Sequence, residues 1–282
     1  MVHDEWADLH VHTCYSDGIL RPSEVVEKAK EVGLKAVGIV DHDCVDGIPE
    51  AREVGDRLGV EIVPGIELSC QYQGKDIHII AYYCDLNHPQ LVEYLTHFQD
   101  ERYQRALKMV RNLNNQGVKI SIEDVQRNAK GKSIGRPHIA EVLMEKGYVE
   151  TFQEAFHRFI GYTSKAYEEK YRIMPEEALR IISDVGGLSF LAHPGHTISM
   201  EAIFNFTKAG LDGIEIVHPQ LNDRRTLQLQ QFAQNHGLLV SGGSDCHGGR
   251  EGRLNIGNYR VPYAILTEMQ NVIKIRKRQM SL

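Results

Sequence analysis

Short apolar runs alternate with helical patterns along most of this 282-residue chain, and that alternation limits the possible fold more than any other feature. Parallel strands need a crossover between them, and a helix is the usual one. "LKAVGIVDH" (34–42) follows the helix-like "RPSEVVEKAKEVG", where Pro22 suits a first turn and Gly33 a C-terminal cap. "VEIVPGIELS" (60–69) follows "GIPEAREVGDRLG". "KDIHIIAYY" (75–83) comes after only a short glycine-containing turn, so it is expected to pair as a hairpin. From about 88 to 170 the text reads as several helices with few strand signals. The alternation resumes with "GGLSFLAHPG" (186–195), "LDGIEIVHP" (211–219) and "HGLLVSGGSDCHG" (236–248). With "DLHVH" at the start, this predicts an α/β fold of about seven strands. They form a closed or nearly closed parallel barrel from residues 1–87 and 171–282, interrupted by a helical insertion at 88–170.

In such a barrel the chemistry sits at the C-terminal ends of the strands. The first strand delivers His10 and His12 on one face, because alternate strand residues point the same way, with Asp17 in the loop beyond. The second ends at Asp41 and His42, and the third at Glu67. His78 lies on the fourth, His193 ends the fifth, His218 the sixth, and the last runs into Asp245 and His247. Nearly every strand thus brings a histidine or carboxylate to one end. Solvated polar residues would not be phased in this way. Mixed imidazole and carboxylate donors suit divalent cations. His3, His88, His97, His157 and His236 fall in helical or terminal contexts without this phasing and are read as structural or surface residues; His196 is likewise not expected to be a ligand.

Composition narrows the partners. A net charge of −6 argues against a long nucleic-acid duplex, though bound cations can reverse the charge of a pocket locally. There is no signal-peptide pattern and no apolar run of about 18 residues, so a cytoplasmic protein without membrane contact is expected. The five cysteines show no CxxC spacing, which fits a reduced compartment. Cys14, Cys44 and Cys246 lie beside the suspected ligands and are read as small buried fillers. The basic "IKIRKRQ" near the end reads as a solvated helix terminus.

Taken together, "DLHVH", "SDG", "VDHD", "GIE", "IHIIAY", "AHPG" and "SDCHG" resemble the PHP (polymerase and histidinol phosphatase) family of metal-dependent phosphoesterases, over the whole chain. The resemblance implies a distorted (β/α)7 barrel holding two or three divalent ions, manganese, iron or zinc. It implies one ion on His10, His12, Glu67 and Asp245, a second on Glu67, His78 and His193, and a third on Asp17, His42 and His247. Glu67, His193 and Asp245 would then stand at the reaction itself. Asp43 and His218 are expected behind these ligands, orienting them or a bound water. Within the insertion, "GRPHIA" (135–140) and "FIGYTSKAY" (159–167) resemble TrpH-like members, which include 3′,5′-nucleoside bisphosphate phosphatases and a bacterial 5′→3′ oligoribonuclease. Arg136 and His138, at a helix start with its exposed N–H groups, are then a phosphate site. The plainer reading of the same residues is a helix N-terminus with Pro137 in its first turn.

The expected activity is hydrolysis of a small phosphorylated nucleotide, a 3′,5′-bisphosphate or short oligonucleotide, by a hydroxide generated between divalent ions. No GxSxG elbow suggests a serine nucleophile. A histidinol-phosphate phosphatase, an amidohydrolase and a non-catalytic PHP module are the rival readings. The amidohydrolase lacks its bridging lysine here, since Lys75 starts the fourth strand while His78 takes the inward position.

Overall fold

A computed structural model describes residues 5–195, 198–249 and 254–280, so His3 and His196 lie outside the described residues. β1 (Trp6–Val11), β2 (Ala36–Ile39) and β3 (Glu61–Tyr72) run parallel, joined by α1 (Pro22–Glu31) and α2 (Ile48–Leu58). Gly59 ends α2 in the left-handed conformation that a glycine adopts without steric cost. β4 (Lys75–Tyr82) then returns along β3, antiparallel from Tyr72↔Lys75 to Gly65↔Tyr82. The turn between them is Gln73–Gly74, both at positive φ, the geometry that matches a tight hairpin. β5 (Leu188–Leu191) is again antiparallel to β4, and β6 (Gly213–Val217) and β7 (Leu239–Gly242) continue parallel to β5. The order is β7-β6-β5-β4-β3-β2-β1-β8, with β8 (Val261–Pro262) antiparallel on β1. Past β7 the chain meets β1: His12 N–H donates to the Cys246 carbonyl (3.0 Å), and Val11 bridges Cys246 in parallel.

The barrel is therefore parallel except at β4 and the added β8. A two-residue turn can only reverse the chain, so β4 could not run with its neighbours. Its reversal places its first half at the mouth, where the other strands end, and His78 pairs with Ser69 there.

Helices α3 (Pro89–Asn115), α4 (Ile122–Asn128), α5 (Arg136–Glu145) and α6 (Phe152–Ala155), followed by a π-helical turn at Phe156–Ile160, fill the segment after β4. α3 is about 40 Å long at 1.5 Å per residue. Its first half buries Leu91, Leu95 and Phe98 with Ile66 and Ile79 of the barrel wall and with Leu179. Its second half buries Met109, Val110 and Leu113 in a separate cluster with Val125, Ile139, Leu143 and Ile160. One helix thus serves two cores. α7 (Pro175–Asp184), α8 (Met200–Lys208) and α9 (Asp223–His236) are the remaining crossovers, and α10 (Ala264–Met280) packs Leu266 and Met269 against Leu9, Ile80 and Phe190. All five cysteines are buried free thiols, in keeping with a filler role. Among the described residues no helix is long and apolar enough to cross a membrane.

Candidate metal centre

β1 presents His10 and His12 to one side at the mouth, both fully buried. His10 Nε2 and His12 Nε2 stand 3.1 Å apart. Glu67 Oε2 lies 3.5 and 3.2 Å from them, and Asp245 Oδ1 3.3 and 3.1 Å. A tetrahedral ion with bonds of about 2.0–2.1 Å has ligand–ligand edges of roughly 3.3–3.4 Å, and the separation of each carboxylate from the two imidazoles is close to that. Glu67 reaches a second group through Oε1, 3.1 Å from His78 Nδ1 and 3.0 Å from His193 Nε2, which are 3.3 Å from each other. In a third group, Asp17 Oδ1 is 3.3 Å from His247 Nε2 and Asp17 Oδ2 is 3.9 Å from His42 Nε2. The nine residues named from the strand ends therefore converge on one pocket, with Glu67 at its middle.

Surrounding groups aim these donors. Glu215 Oε1 accepts from His10 Nδ1–H (2.9 Å), which leaves the Nε2 lone pair facing inward, and Glu215 Oε2 accepts from the His193 N–H (2.6 Å). Gln220 N–H donates to His218 Nδ1 (3.1 Å), so His218 carries its proton on Nε2 and donates it to Asp245 Oδ2 (3.2 Å). His247 Nδ1–H donates to the Asp245 carbonyl (2.8 Å), again leaving Nε2 free. Asp41 holds the loop that carries Asp17, accepting from Thr13 N–H (2.7 Å), Thr13 Oγ1 (2.6 Å) and Ser16 Oγ (2.5 Å). Three of the five described non-glycine residues at positive φ, Asp43, His193 and Asp245, are in or against this pocket. Such conformations cost about 1–3 kcal/mol each and persist where the surroundings over-determine them.

The pocket fits divalent cations. His12 Nδ1, His42 Nδ1 and Glu67 Oε2 are buried without a hydrogen-bond partner. Two imidazole acceptors at 3.1 Å repel unless a positive charge lies near both. Burial disfavours charge on His12, yet the carboxylates of Asp245 and Glu67 override it and push its pKa up to about 10. Burial likewise opposes charge on Glu67, while His78, His42 and His10 hold its carboxyl well below the usual range. Burial lowers His42 and His78 instead and so favours their neutral form, and neutral imidazoles beside charged carboxylates are the donors a cation takes.

Comparison with known proteins agrees with this geometry. The PHP domain family matches residues 8–197, a span that runs from the first strand past His193. The chain belongs to the PHP family. It is 32% identical over 247 residues to the 5′-3′ exoribonuclease Rnm of Escherichia coli, covering 85% of this chain and 84% of that protein. It is 30% identical over 259 residues to the 3′,5′-nucleoside bisphosphate phosphatase of Chromobacterium violaceum, covering 89% and 90%. A Bifidobacterium adolescentis structure described as a metal-dependent phosphoesterase superposes with a TM-score of 0.87 at 30% identity, over 93% of this chain and 94% of that one. This PHP protein is a metal-dependent phosphoester hydrolase.

Beside this histidine and carboxylate cluster of the PHP protein, a cleft of about 320 Å³ opens from His42 and His78 toward the insertion, lined by Arg102, Arg105, Arg136, Lys170 and Arg172. Arg102 is committed to Asp43 (Nε 3.0 Å, Nη2 2.5 Å) and Arg172 to Asp76 and Glu169. Arg105 donates to the Glu168 carbonyl (2.8 Å), and Arg136 donates to the Ile160 carbonyl (3.3 Å) with its guanidinium 4.4 Å from the Tyr162 ring. Among the described residues, Arg105, Arg136 and Lys170 hydrogen-bond no carboxylate. Burial and the Arg102 charge push Lys170 down to about 8, and burial with Arg136 and Arg102 push Arg105 down to about 10. The Ser133 hydroxyl, buried and unpartnered, lines the same cleft.

Two residues expected near substrate or ligands have other contacts. His138 is buried and its Nδ1 accepts from the Gly135 N–H (3.0 Å), closing the first turn of α5 instead of lining the cleft. Asp43 accepts from Ser69 N–H (3.0 Å), Ser69 Oγ (2.8 Å) and Arg102, so it ties α3 to β3. Glu215, Arg105 and Lys170 were not anticipated. The signal for Glu215 was present: one acidic residue inside the apolar run "GIEIV".

Proposed function

We propose that this enzyme hydrolyses a phosphate ester of a small nucleotide that carries a second phosphate, a 3′,5′-nucleoside bisphosphate or the end of a short oligonucleotide. The observation that carries this reading is the trio Arg105, Arg136 and Lys170, three cations that hydrogen-bond no carboxylate among the described residues, in a cleft that abuts His42 and His78. On this reading His10, His12, Asp17, His42, Glu67, His78, His193, Asp245 and His247 hold two or three divalent ions, manganese, iron or zinc. When bound, such ions lower the pKa of an attacking water and take charge from the phosphate oxygens. Glu67, between two groups of histidines, sets their spacing. Asp245, braced by His218, and His193, braced by Glu215, face the reacting phosphate. Arg136, steadied against the Tyr162 ring, grips the remote phosphate and so orients the ester across the ligands. Residues 88–170 act as a cap on the substrate side of the barrel.

A substrate panel with added Mn²⁺ tests this. A 3′,5′-bisphosphate should exceed a nucleoside monophosphate and histidinol phosphate in kcat/KM. Loss of one charge-assisted hydrogen bond is about 1.5–3 kcal/mol, so Arg136→Ala should lower kcat/KM on the bisphosphate roughly 10- to 150-fold and spare a chromogenic monoester. Equal losses on both, or preference for histidinol phosphate, would refute the assignment.

A further inference from the structure

Three aromatic rings surround Arg136 in the basic cleft. Its guanidinium lies 4.4 Å from the centre of the Tyr162 ring, 5.2 Å from Phe156 and 5.6 Å from Tyr167, and all three rings line the cleft. Phe156 and Tyr167 are partly buried, whereas Tyr162 is 62% exposed. Gripping a phosphate gives no reason to present so much aromatic surface beside three cations. Tyr162 is nonetheless held in place. Its hydroxyl donates to Asp76 Oδ2 (3.3 Å), and the Tyr167 ring lies 5.2 Å away, tilted by 54°. It comes just after the π-helical turn Phe156–Ile160, a geometry that recurs at functional sites. With the guanidinium on one face and the hydroxyl pinned, the exposed area lies mainly on the opposite face. A ring already fixed loses little entropy when a flat partner settles on it.

We infer that the open face of Tyr162 is the platform on which the substrate's nucleobase stacks, and that this platform does not read which base it holds. The inference rests on the reading that the basic cleft takes the substrate's remote phosphate. Arg136 then serves two contacts at once. The edge of its guanidinium, which carries the N–H groups, meets the phosphate while its face stays on Tyr162. Base and phosphate of one nucleotide are gripped as a unit.

Blindness to base identity follows from what lines the cleft. Base edges are read by side chains with matched donors and acceptors, such as the amides of asparagine and glutamine. Among the described residues the cleft is lined by neither. The carboxylate beside the ring is occupied, since Asp76 accepts from Arg172 Nη2 (3.2 Å) as well as from Tyr162. Every base has a π-face, so stacking serves purines and pyrimidines alike. A sugar bisphosphate without a base offers the same two phosphates and nothing to the platform.

The test uses Mn²⁺-loaded enzyme and three 3′,5′-bisphosphates: those of adenosine, of uridine and of an abasic analogue with hydrogen in place of the base. Stacking predicts kcat/KM about 5- to 150-fold higher for each nucleoside than for the abasic compound, with the two nucleosides within about 10-fold of each other. Tyr162→Ala should bring the adenosine-to-abasic ratio close to one, and Tyr162→Phe should keep it. A ratio cancels any loss that both substrates share through a looser Arg136. Tyr162→Trp adds a readout without turnover: the nucleoside monophosphate product should quench the indole fluorescence of that variant, and the abasic product should not. A wild type that does not favour the nucleosides over the abasic compound, a ratio that survives Tyr162→Ala, or a lack of quenching overturns the inference and leaves the phosphate grip standing. A preference for one base above about 10-fold overturns its second half. Wild type that cleaves none of the three removes the proposed function as well.

Discussion

At the scale of single residues, Lys170 turns the basic cleft into a pH-dependent one. Its pKa in the free protein lies near 8, depressed by burial and by Arg102, and a bound anion favours its charged form. Anion binding should therefore be at full strength below pH 8 and weaken as pH rises past it. Sulfate, which does not titrate in this range, should inhibit with a Ki that rises up to about tenfold per unit between pH 8 and 10. Lys170→Arg should flatten the profile, because a guanidinium stays charged. Identical profiles in both proteins would show that Lys170 does not grip the anion. The sequence made the convergence of the nine residues legible because strand ends are phased and so bring their side chains to one end of the barrel. It did not reveal Lys170 or Arg105, since a lysine in "EEKYR" and an arginine in a long polar helix look like any solvated face. Their meaning comes from the distant segments they meet.

At the scale of elements, the tie between α3 and β3 is a buried ion pair. Arg102 is 8% exposed, Asp43 is fully buried, and Ser69 completes the network. Removing one partner strands the other charge, which typically costs about 3–5 kcal/mol. Arg102→Ala should lower stability to denaturant by that order, and Arg102→Met with Asp43→Asn should recover much of it. No recovery in the double variant would mean that the helix docks through Leu91, Leu95 and Phe98 alone. The hairpin between β3 and β4 was legible because its turn is short. β8 was not, because two residues give no alternation to read. The split of α3 between two cores was equally hidden, since one continuous apolar stripe does not say where its partner changes.

At the scale of the whole molecule, the pocket gathers segments from residue 10 to residue 247, so metal binding and global folding are linked. A ligand at 100 times its Kd adds about 2.7 kcal/mol, which for a chain of this size corresponds to roughly 5–10 °C in Tm. Chelation should lower Tm by that amount and Mn²⁺ should restore it, as read by calorimetry. An unchanged Tm would show that the cluster does not bind ions tightly. The reversed β4 has its own effect at this scale. In an ordinary barrel, helices run away from the mouth. Here the strand before α3 descends, so α3 climbs, and it carries everything attached to its upper half over the reaction. Strand direction thus creates a mounting point. If residues 103–170 act as a separable fitting, grafting a relative's segment there should change what the enzyme selects while the histidine and carboxylate floor stays as it is.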